Sequence, residues 1–81
     1  MKLTTTQQVK KSNRIKSIVK TMDDTQALCA IHDTCETMGF LEDFVVEIRW
    51  GIIHRLGALD PDTCNQWLEG DIGSSPTDYF V

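Results

Sequence analysis

Two cysteines and one histidine in the first half of the chain are spaced three residues apart. Cys29, His32 and Cys35 form a C-x2-H-x2-C pattern, and thiolate and imidazole groups are the ligands that Zn²⁺ takes at structural sites. On one helix these positions spread over about 120° of arc, whereas tetrahedral sites usually combine ligands from separate elements. Completing a site would require Cys64 or His54. We therefore predict that no metal binds, that Cys35 is a core residue, and that Cys29 and His32 lie at the surface.

The histidines are also the candidates for acid–base catalysis. A catalytic nucleophile and its base need a third group that orients them, and neither His32 nor His54 lies in a recognisable motif with serine, cysteine and carboxylate partners. The later glycines stand alone and form no phosphate-binding loop; they are Gly51, Gly57, Gly70 and Gly73. The sequence thus predicts a protein that is not an enzyme and carries no cofactor.

Residues 35–50, CETMGFLEDFVVEIRW, approach the spacing of a helix-turn-helix motif. A small residue is followed four positions later by Gly39, and apolar residues continue on both sides. The candidate reading helix, however, carries acidic residues near its start, at Glu42, Asp43 and Glu47. These carboxylates would repel DNA phosphates, since affinity there comes mainly from Lys and Arg. We therefore interpret the spacing as ordinary helix packing around a glycine turn.

The charged residues are divided sharply along the chain. The formal net charge is −4, but residues 1–22 carry six of the eight basic side chains and no carboxylate, a formal charge of +6. Residues 23–81 hold all twelve carboxylates and two arginines, a formal charge of −10. Such asymmetry is typical of an interaction arm or of two segments that attract each other in the fold.

The basic part could bind a nucleic-acid backbone. Its candidate contact residues are Lys10, Lys11, Arg14, Lys16 and Lys20. The segment contains no aromatic residue for base stacking, so binding would be salt-sensitive and without sequence preference. The other interpretations are a solvated face that also attracts the acidic remainder of the chain, and a contact with a partner protein.

Helical periodicity with clear stops predicts an all-α bundle of three main helices, a short fourth helix and an irregular C-terminal tail. The predicted helices run from about Thr6 to Met22, from Asp23 as N-cap to Gly39, from about Leu41 to Leu56 with Gly57 as the stop, and from Pro61 to Gly70 with Asp60 as N-cap. Thr5 and Gln8 have capping-box spacing. The chain forms one domain over residues 1–81, with residues 1–5 frayed and residues 71–81 as the tail.

Each helix has a face that is predicted to be buried. The predicted core residues are Ile15, Ile18, Val19 and Met22 in the first helix; Ala27, Leu28, Ala30, Ile31, Thr34, Cys35 and Met38 in the second; Leu41, Phe44, Val45, Ile48, Ile52 and Leu56 in the third; and Cys64, Trp67 and Leu68 in the fourth. For the terminal Tyr79, Phe80 and Val81, the alternatives are an aromatic hook folded back on the domain, a disordered end, or a peptide ligand.

A second apolar stripe in the third helix exceeds what one small core needs. Val46, Trp50 and Ile53 follow one another at i, i+4 and i+7, with charged residues around them. An aromatic anchor with a charged rim is the composition of an interface centre. Either the fourth helix or the tail covers this stripe, or it forms a dimer seam or a docking site.

The chain lacks the sequence signals of a membrane or secreted protein. No apolar run approaches the roughly 18 residues that cross a bilayer, and the first residues lack the apolar centre and cleavage site of a secretory signal. Three cysteines make a poor disulfide framework. These features predict a soluble, cytoplasmic protein with free thiols.

Charge and size together indicate a function. We predict a small acidic, non-enzymatic protein that occludes a basic surface of a partner protein, because such a surface attracts carboxylates as it attracts phosphates. The predicted contact residues are Asp33, Glu36, Glu42, Asp43, Val46, Glu47, Trp50 and Ile53. Small acidic inhibitors that phages and mobile elements make against nucleic-acid-handling or defence complexes, anti-CRISPR proteins among them, act in this general way; the likeness is one of size and charge. The alternative is a nucleic-acid-binding regulator that uses the basic first helix.

Overall fold

Helices account for nearly all of the computed structural model, which describes residues 4–70 and 75–80. The α-helices are α1 (Thr5–Thr21), α2 (Thr25–Thr34), α3 (Glu42–Leu59) and α4 (Pro61–Gly70), and two short 3₁₀ helices span Cys35–Met38 and Pro76–Asp78. Within the described ranges there is no strand. The predicted all-α bundle with a short fourth helix is confirmed.

Helix α1 begins one residue earlier than predicted. Thr4, not Thr5, is the N-cap: its side chain accepts from the Gln7 backbone N–H, and the Gln7 side chain accepts from the Thr4 N–H. Gln8, which was predicted to take part in the cap, is buried, and its side-chain Oε1 accepts from the Leu41 N–H at 2.7 Å. The local capping spacing fits both registers, and this long-range contact distinguishes them.

The start of α2 is also displaced by one residue. The Asp24 carboxylate accepts from the backbone N–H groups of Gln26 and Ala27, at 3.0 and 3.2 Å. The predicted cap, Asp23, instead pairs with the Arg55 guanidinium. Arg55 also donates to the Met22 carbonyl at 2.8 Å, so the end of α1 is fastened to α3.

The buried face of α2 is rotated relative to the prediction. Cys29 and His32, expected at the surface, are buried, whereas three residues expected in the core are exposed: Ala30, Thr34 and Met38. The reason is that α2 packs against both α3 and the second 3₁₀ helix. The His32 ring meets the buried Trp67 edge-on at 5.2 Å between centroids. Histidine counts as polar in a hydrophobic pattern, so the pattern does not predict this aromatic contact.

The connection after α2 keeps the predicted glycine turn but tightens before it. The Thr34 hydroxyl donates to the Ala30 carbonyl and the Thr37 hydroxyl to the Thr34 carbonyl, both at 2.8 Å. Such side-chain bonds to the backbone compete with regular helix, and the chain continues as a 3₁₀ helix. Gly39 then adopts φ 85°, the left-handed conformation expected of it.

Helix α3 runs past the predicted stop at Gly57 and ends at Leu59. The stop is set by Pro61, because a residue before proline disfavours the helical conformation; Asp60 has φ −148° and ψ 82°. Gly57 lies inside the helix and faces α4. A Cβ atom at this position would be 3.7 Å from the Cys64 sulfur, an ordinary van der Waals distance.

Helix α4 starts where predicted. The Asp60 carboxylate accepts from the Thr63 N–H at 3.2 Å and from the Thr63 hydroxyl at 2.7 Å, while Pro61 occupies the first helical position. Of the predicted core residues in α4, Cys64 and Trp67 are buried and Leu68 is partly buried.

Helices α1 and α3 lie side by side and run parallel. Their cross-helix contacts follow the same order along both helices, from Gln8 with Leu41, through Lys16 with Glu47, to Met22 with Arg55. The buried line of α1 contains Gln8, Ser12 and Val19, so its first third is anchored by polar side chains. The apolar pattern did not predict this, and it placed Ile18 in the core although this residue is exposed.

The core lies between the four α-helices and the end of the tail. It contains Val19, Leu28, Cys29, Cys35, Val45, Ile48, Ile52, Leu56, Cys64, Trp67 and Phe80. Leu41 was predicted there but is 57% exposed, because it is the N-cap of α3 and lies outside the helical repeat. Phe44 is only half-buried.

The described end of the tail folds back on the domain, which was the first of the three alternatives given for it. Phe80 is buried and Tyr79 packs against the core, while Val81, residues 71–74 and residues 1–3 lie outside the described residues. None of the described helices is long and apolar enough to span a membrane.

Candidate functional site

The outer side of α3 exposes a tryptophan. Trp50 is 53% exposed and Val46 is 43% exposed, so the fourth helix and the described part of the tail leave them open to solvent. Ile53, the third member of the predicted stripe, packs against the core and does not extend this surface. The Trp50 ring lies 6.5 Å from the exposed His54 ring, tilted by 47°.

Two carboxylates flank this apolar pair. Glu42 and Asp43 occupy the first turn of α3 and are exposed, and no ion pair engages either of them within residues 4–70 and 75–80. Their position suits the positive end of the helix dipole, which stabilises them without neutralising them. We call Glu42, Asp43, Val46 and Trp50 the Trp50 face.

The other predicted acidic contact residues have partners inside the molecule. The Glu36 carboxylate lies 2.7 Å from the Arg49 guanidinium, and the Glu47 carboxylate lies 3.0 Å from the Lys16 ammonium. Both carboxylates are more than half exposed, so these pairs add little stability. They nonetheless reduce the negative charge that α3 presents. The predicted acidic surface is therefore smaller than its residue list implies.

Asp33 is committed to the tail. Its Oδ2 accepts from the Ser75 hydroxyl at 2.6 Å and from the Thr77 hydroxyl at 2.8 Å, and its Oδ1 lies 3.4 Å from His32 Nδ1. Partial burial alone would raise the pKa of the Asp33 carboxyl, but these hydrogen bonds outweigh it and hold the pKa below its ordinary value. We call Asp33, Ser75 and Thr77 the tail clasp.

The tail clasp and His32 together contain the residue types of a catalytic triad, but in a different order. In a triad the imidazole lies between the hydroxyl and the carboxylate. Here the carboxylate of Asp33 lies between the Ser75 hydroxyl and the His32 ring. The Ser75 hydroxyl thus donates to a carboxylate and not to an imidazole, and this hydrogen bond links the tail to α2.

His32 makes the stability of the fold sensitive to acid. Burial lowers the pKa of the imidazole from its ordinary value of 6.5, although the hydrogen bond that the ring donates to the Asp33 carboxylate opposes this shift. Because the unfolded chain binds the proton more readily than the folded chain, stability is full above about pH 6.5 and decreases as pH falls towards the folded pKa.

Urea unfolding measured from neutral pH down to about pH 5 is therefore expected to show a falling free energy of unfolding. His32→Gln should flatten this dependence, because it removes the buried imidazole. An equal slope in the wild type and His32→Gln would contradict the assignment.

The cysteines are buried thiols. Burial and the nearby Asp33 carboxylate raise the pKa of Cys29 to about 11, and burial raises the pKa of Cys35 and of Cys64. The Cys35 thiol donates to the His32 carbonyl at 3.2 Å. Protonated thiols are poor nucleophiles and poor metal ligands. No group of three His, Cys, Asp or Glu side chains among residues 4–70 and 75–80 is arranged to hold a metal ion.

The basic residues of α1 remain largely at the surface. Lys16 is paired with Glu47, whereas no carboxylate in the part of the chain that the structure describes forms an ion pair with the other four: Lys10, Lys11, Arg14 and Lys20. All four are exposed. The described carboxylates therefore leave these four cations without an ion pair, and the described part of α1 presents a positive surface.

Two open grooves border α1, and the sequence predicted neither. The first, of about 360 Å³, lies between α1 and the connection to α3 and is lined by Lys11, Arg14, Ile15, Met38 and Phe40; we call it the Met38 groove. The second, of about 390 Å³, lies between α1 and α3 and is lined by Lys20, Gly51, His54, Arg55 and Ala58. Both combine residues from different elements, so no single helix carries their pattern.

No protein-family model matches this chain, and no curated protein or solved structure matches it either.

Proposed function

We propose that the protein is a non-enzymatic binding protein whose Trp50 face docks onto a basic surface of a partner protein. The observation that carries this proposal is the exposure of Trp50 beside Val46 on a helix whose opposite side is fully packed. Adjacent exposed apolar side chains with a charged rim are typical of interaction sites. Tryptophan is also the residue type most enriched among residues that dominate binding energy.

The required partner surface has two features. An apolar pocket must accept the Trp50 indole, which together with Val46 gains free energy from burial. Lysine or arginine side chains beside that pocket must meet Glu42 and Asp43, whose charges no ion pair among the described residues neutralises. Basic surfaces with apolar pockets are common on proteins that handle nucleic acids. An inhibitor that occupies such a site is the form of this function that we favour.

One observation favours a second candidate, a nucleic-acid-binding protein. Four cations of α1 are exposed without an ion pair to any described carboxylate, namely Lys10, Lys11, Arg14 and Lys20. A positive helix of this kind attracts phosphates in a salt-dependent way. The Trp50 face opposes this function, because its carboxylates lie on the helix that packs alongside α1.

Replacement of Trp50 by alanine is expected to weaken partner binding by about 30-fold or more, the effect of losing about 2 kcal/mol of interface energy. The immobilised protein is used to capture partners from an extract of the organism that makes it, and each captured protein is purified and titrated against wild type and Trp50→Ala. The matched control is Leu41→Ala, which also removes an exposed apolar side chain, 57% exposed. The control should bind as the wild type does.

Retention on immobilised heparin and duplex DNA, measured against salt, separates the two candidates. The proposal expects little retention and a partner whose binding requires Trp50. Steep salt-dependent retention that disappears when Lys10 and Arg14 are changed to glutamine would favour nucleic acid. A partner that binds equally to wild type and Trp50→Ala would contradict the docking role of the Trp50 face.

A further inference from the structure

The Met38 groove has the chemistry that the Trp50 face requires of a partner. Its apolar lining comes from Ile15, Met38 and Phe40, and its charged lining comes from Lys11 and Arg14. Met38 is 39% exposed, so the apolar floor is accessible from solvent. Methionine and aromatic side chains are the residue types that adapt to an incoming aromatic ring.

The size of the Met38 groove favours a single bulky side chain over a long segment. Its volume of about 360 Å³ is near the lower end of the range for sites that enclose small ligands, about 300–1,000 Å³. Trp50 is the largest exposed apolar side chain of the described residues and would project into such a groove from the surface of α3.

The charges of the two surfaces are complementary. The cations of the groove belong to the exposed, positive side of α1, and the carboxylates of the Trp50 face lie about two helical turns before Trp50 on α3. With Trp50 in the Met38 groove, Glu42 and Asp43 of one copy are within reach of Lys11 and Arg14 of another. Opposed charges around an apolar centre select this pairing over a pairing of two Trp50 faces, which would bring like charges together.

One molecule cannot place its own Trp50 in its own groove. Lys16 and Lys20 lie on the side of α1 that borders α3, where Lys16 pairs with Glu47. Lys11 and Arg14 lie about 120–180° around α1 from them, at about 100° per residue. The two surfaces therefore face different directions, and their contact must join separate molecules.

We infer that this chain associates with itself head to tail, with the Trp50 face of one copy in the Met38 groove of the next. The inference rests on the proposed function, because it assigns a second copy as a partner of the same Trp50 face. Such a heterologous contact uses a different surface on each molecule, so it builds an open chain or closes into a ring. Self-association of this kind competes with any other partner for Trp50.

Light scattering across the micromolar to millimolar range tests the contact. The wild type and Leu41→Ala should increase in mass with concentration, and high salt should reduce this increase. Trp50→Ala should stay monomeric to concentrations at least about tenfold higher, as should the double variant Lys11→Glu, Arg14→Glu, whose substitutions lie on the surface.

Mixing these two variants identifies the geometry. Trp50→Ala keeps an intact groove and the charge-reversed variant keeps an intact Trp50, so an equimolar mixture should form a one-to-one dimer that does not grow further. Wild type that stays monomeric throughout, or variants whose association mixing does not restore, would overturn the head-to-tail contact. If the head-to-tail contact fails, Trp50-dependent binding of a different basic partner would still support the proposed function. If mixing restores dimers but no other partner is found, the results would support self-association alone.

Discussion

Replacing Trp67 by alanine is expected to lower the free energy of unfolding by about 3–5 kcal/mol. Trp67 is fully buried and is the largest side chain of the core. It supports the tail side of the domain, because its ring meets the edge of the buried His32. A domain of this size has only about 5–15 kcal/mol of stability, so this loss removes much of the total. We expect Trp67→Ala to be largely unfolded well below the melting temperature of the wild type.

The chain contains its own matched control for this prediction. Trp50 is the other of its two tryptophans and is 53% exposed, so Trp50→Ala is the same chemical change at a surface position. Urea unfolding followed by circular dichroism should show a loss of less than about 1 kcal/mol for Trp50→Ala. If the two variants lost similar stability, either Trp50 would be a core residue or Trp67 would not be one.

The boundaries of the helices were largely predictable because they depend on neighbouring residues. Asp60 and Pro61 specify the start of α4 through one side chain and one ring, and Gly39 turns the chain as expected. The predicted N-caps of α1 and α2, Thr5 and Asp23, were each wrong by one position. The actual N-caps, Thr4 and Asp24, are adjacent residues of the same type, so the local sequence fits either position. Tertiary contacts of Gln8 and Asp23 decide between the two registers.

The orientation of α2 was not predictable from its apolar residues. Its buried side includes His32, and the polar Gln8 and Ser12 are buried in α1. A pattern that counts apolar residues assigns such positions to the surface. Gln8 and His32 have partners in other elements, Leu41 and Trp67, and a single sequence does not identify those partners.

In the candidate site, too, the local pattern predicts some features and distant contacts determine others. The exposed Trp50 and Val46 follow from a second stripe on α3, which the helical period reveals. The internal pairing of the predicted acidic residues does not follow from it, because Lys16 lies 31 residues from Glu47, and Ser75 and Thr77 lie 42 and 44 residues from Asp33. The electrostatic surface of a small protein is set by these distant contacts as much as by its composition.

Replacing Asp33 by alanine is expected to release the tail. The change removes the acceptor of two hydrogen bonds, from Ser75 and Thr77. Bonds to a charged group contribute about 1.5–3 kcal/mol each, towards the low end here because the Asp33 carboxylate is about one-third exposed. Phe80 is buried only while the tail is docked, and its exposure costs about 1.5–3 kcal/mol more. We therefore expect a loss of about 3 kcal/mol or more, unless the tail detaches separately from the helices.

Hydrogen exchange distinguishes release of the tail from general unfolding. If Asp33→Ala opens the tail clasp locally, the amides of Tyr79 and Phe80, which donate to the Pro76 carbonyl in the wild type, should exchange much faster while those of α3 keep their protection. Asp33→Asn is the conservative control, because its amide oxygen still accepts a hydrogen bond from the hydroxyls, and it should have an intermediate effect. Unchanged exchange at Tyr79 and Phe80 in Asp33→Ala would show that apolar packing alone holds the tail, and Asp33 would then again be available to a partner.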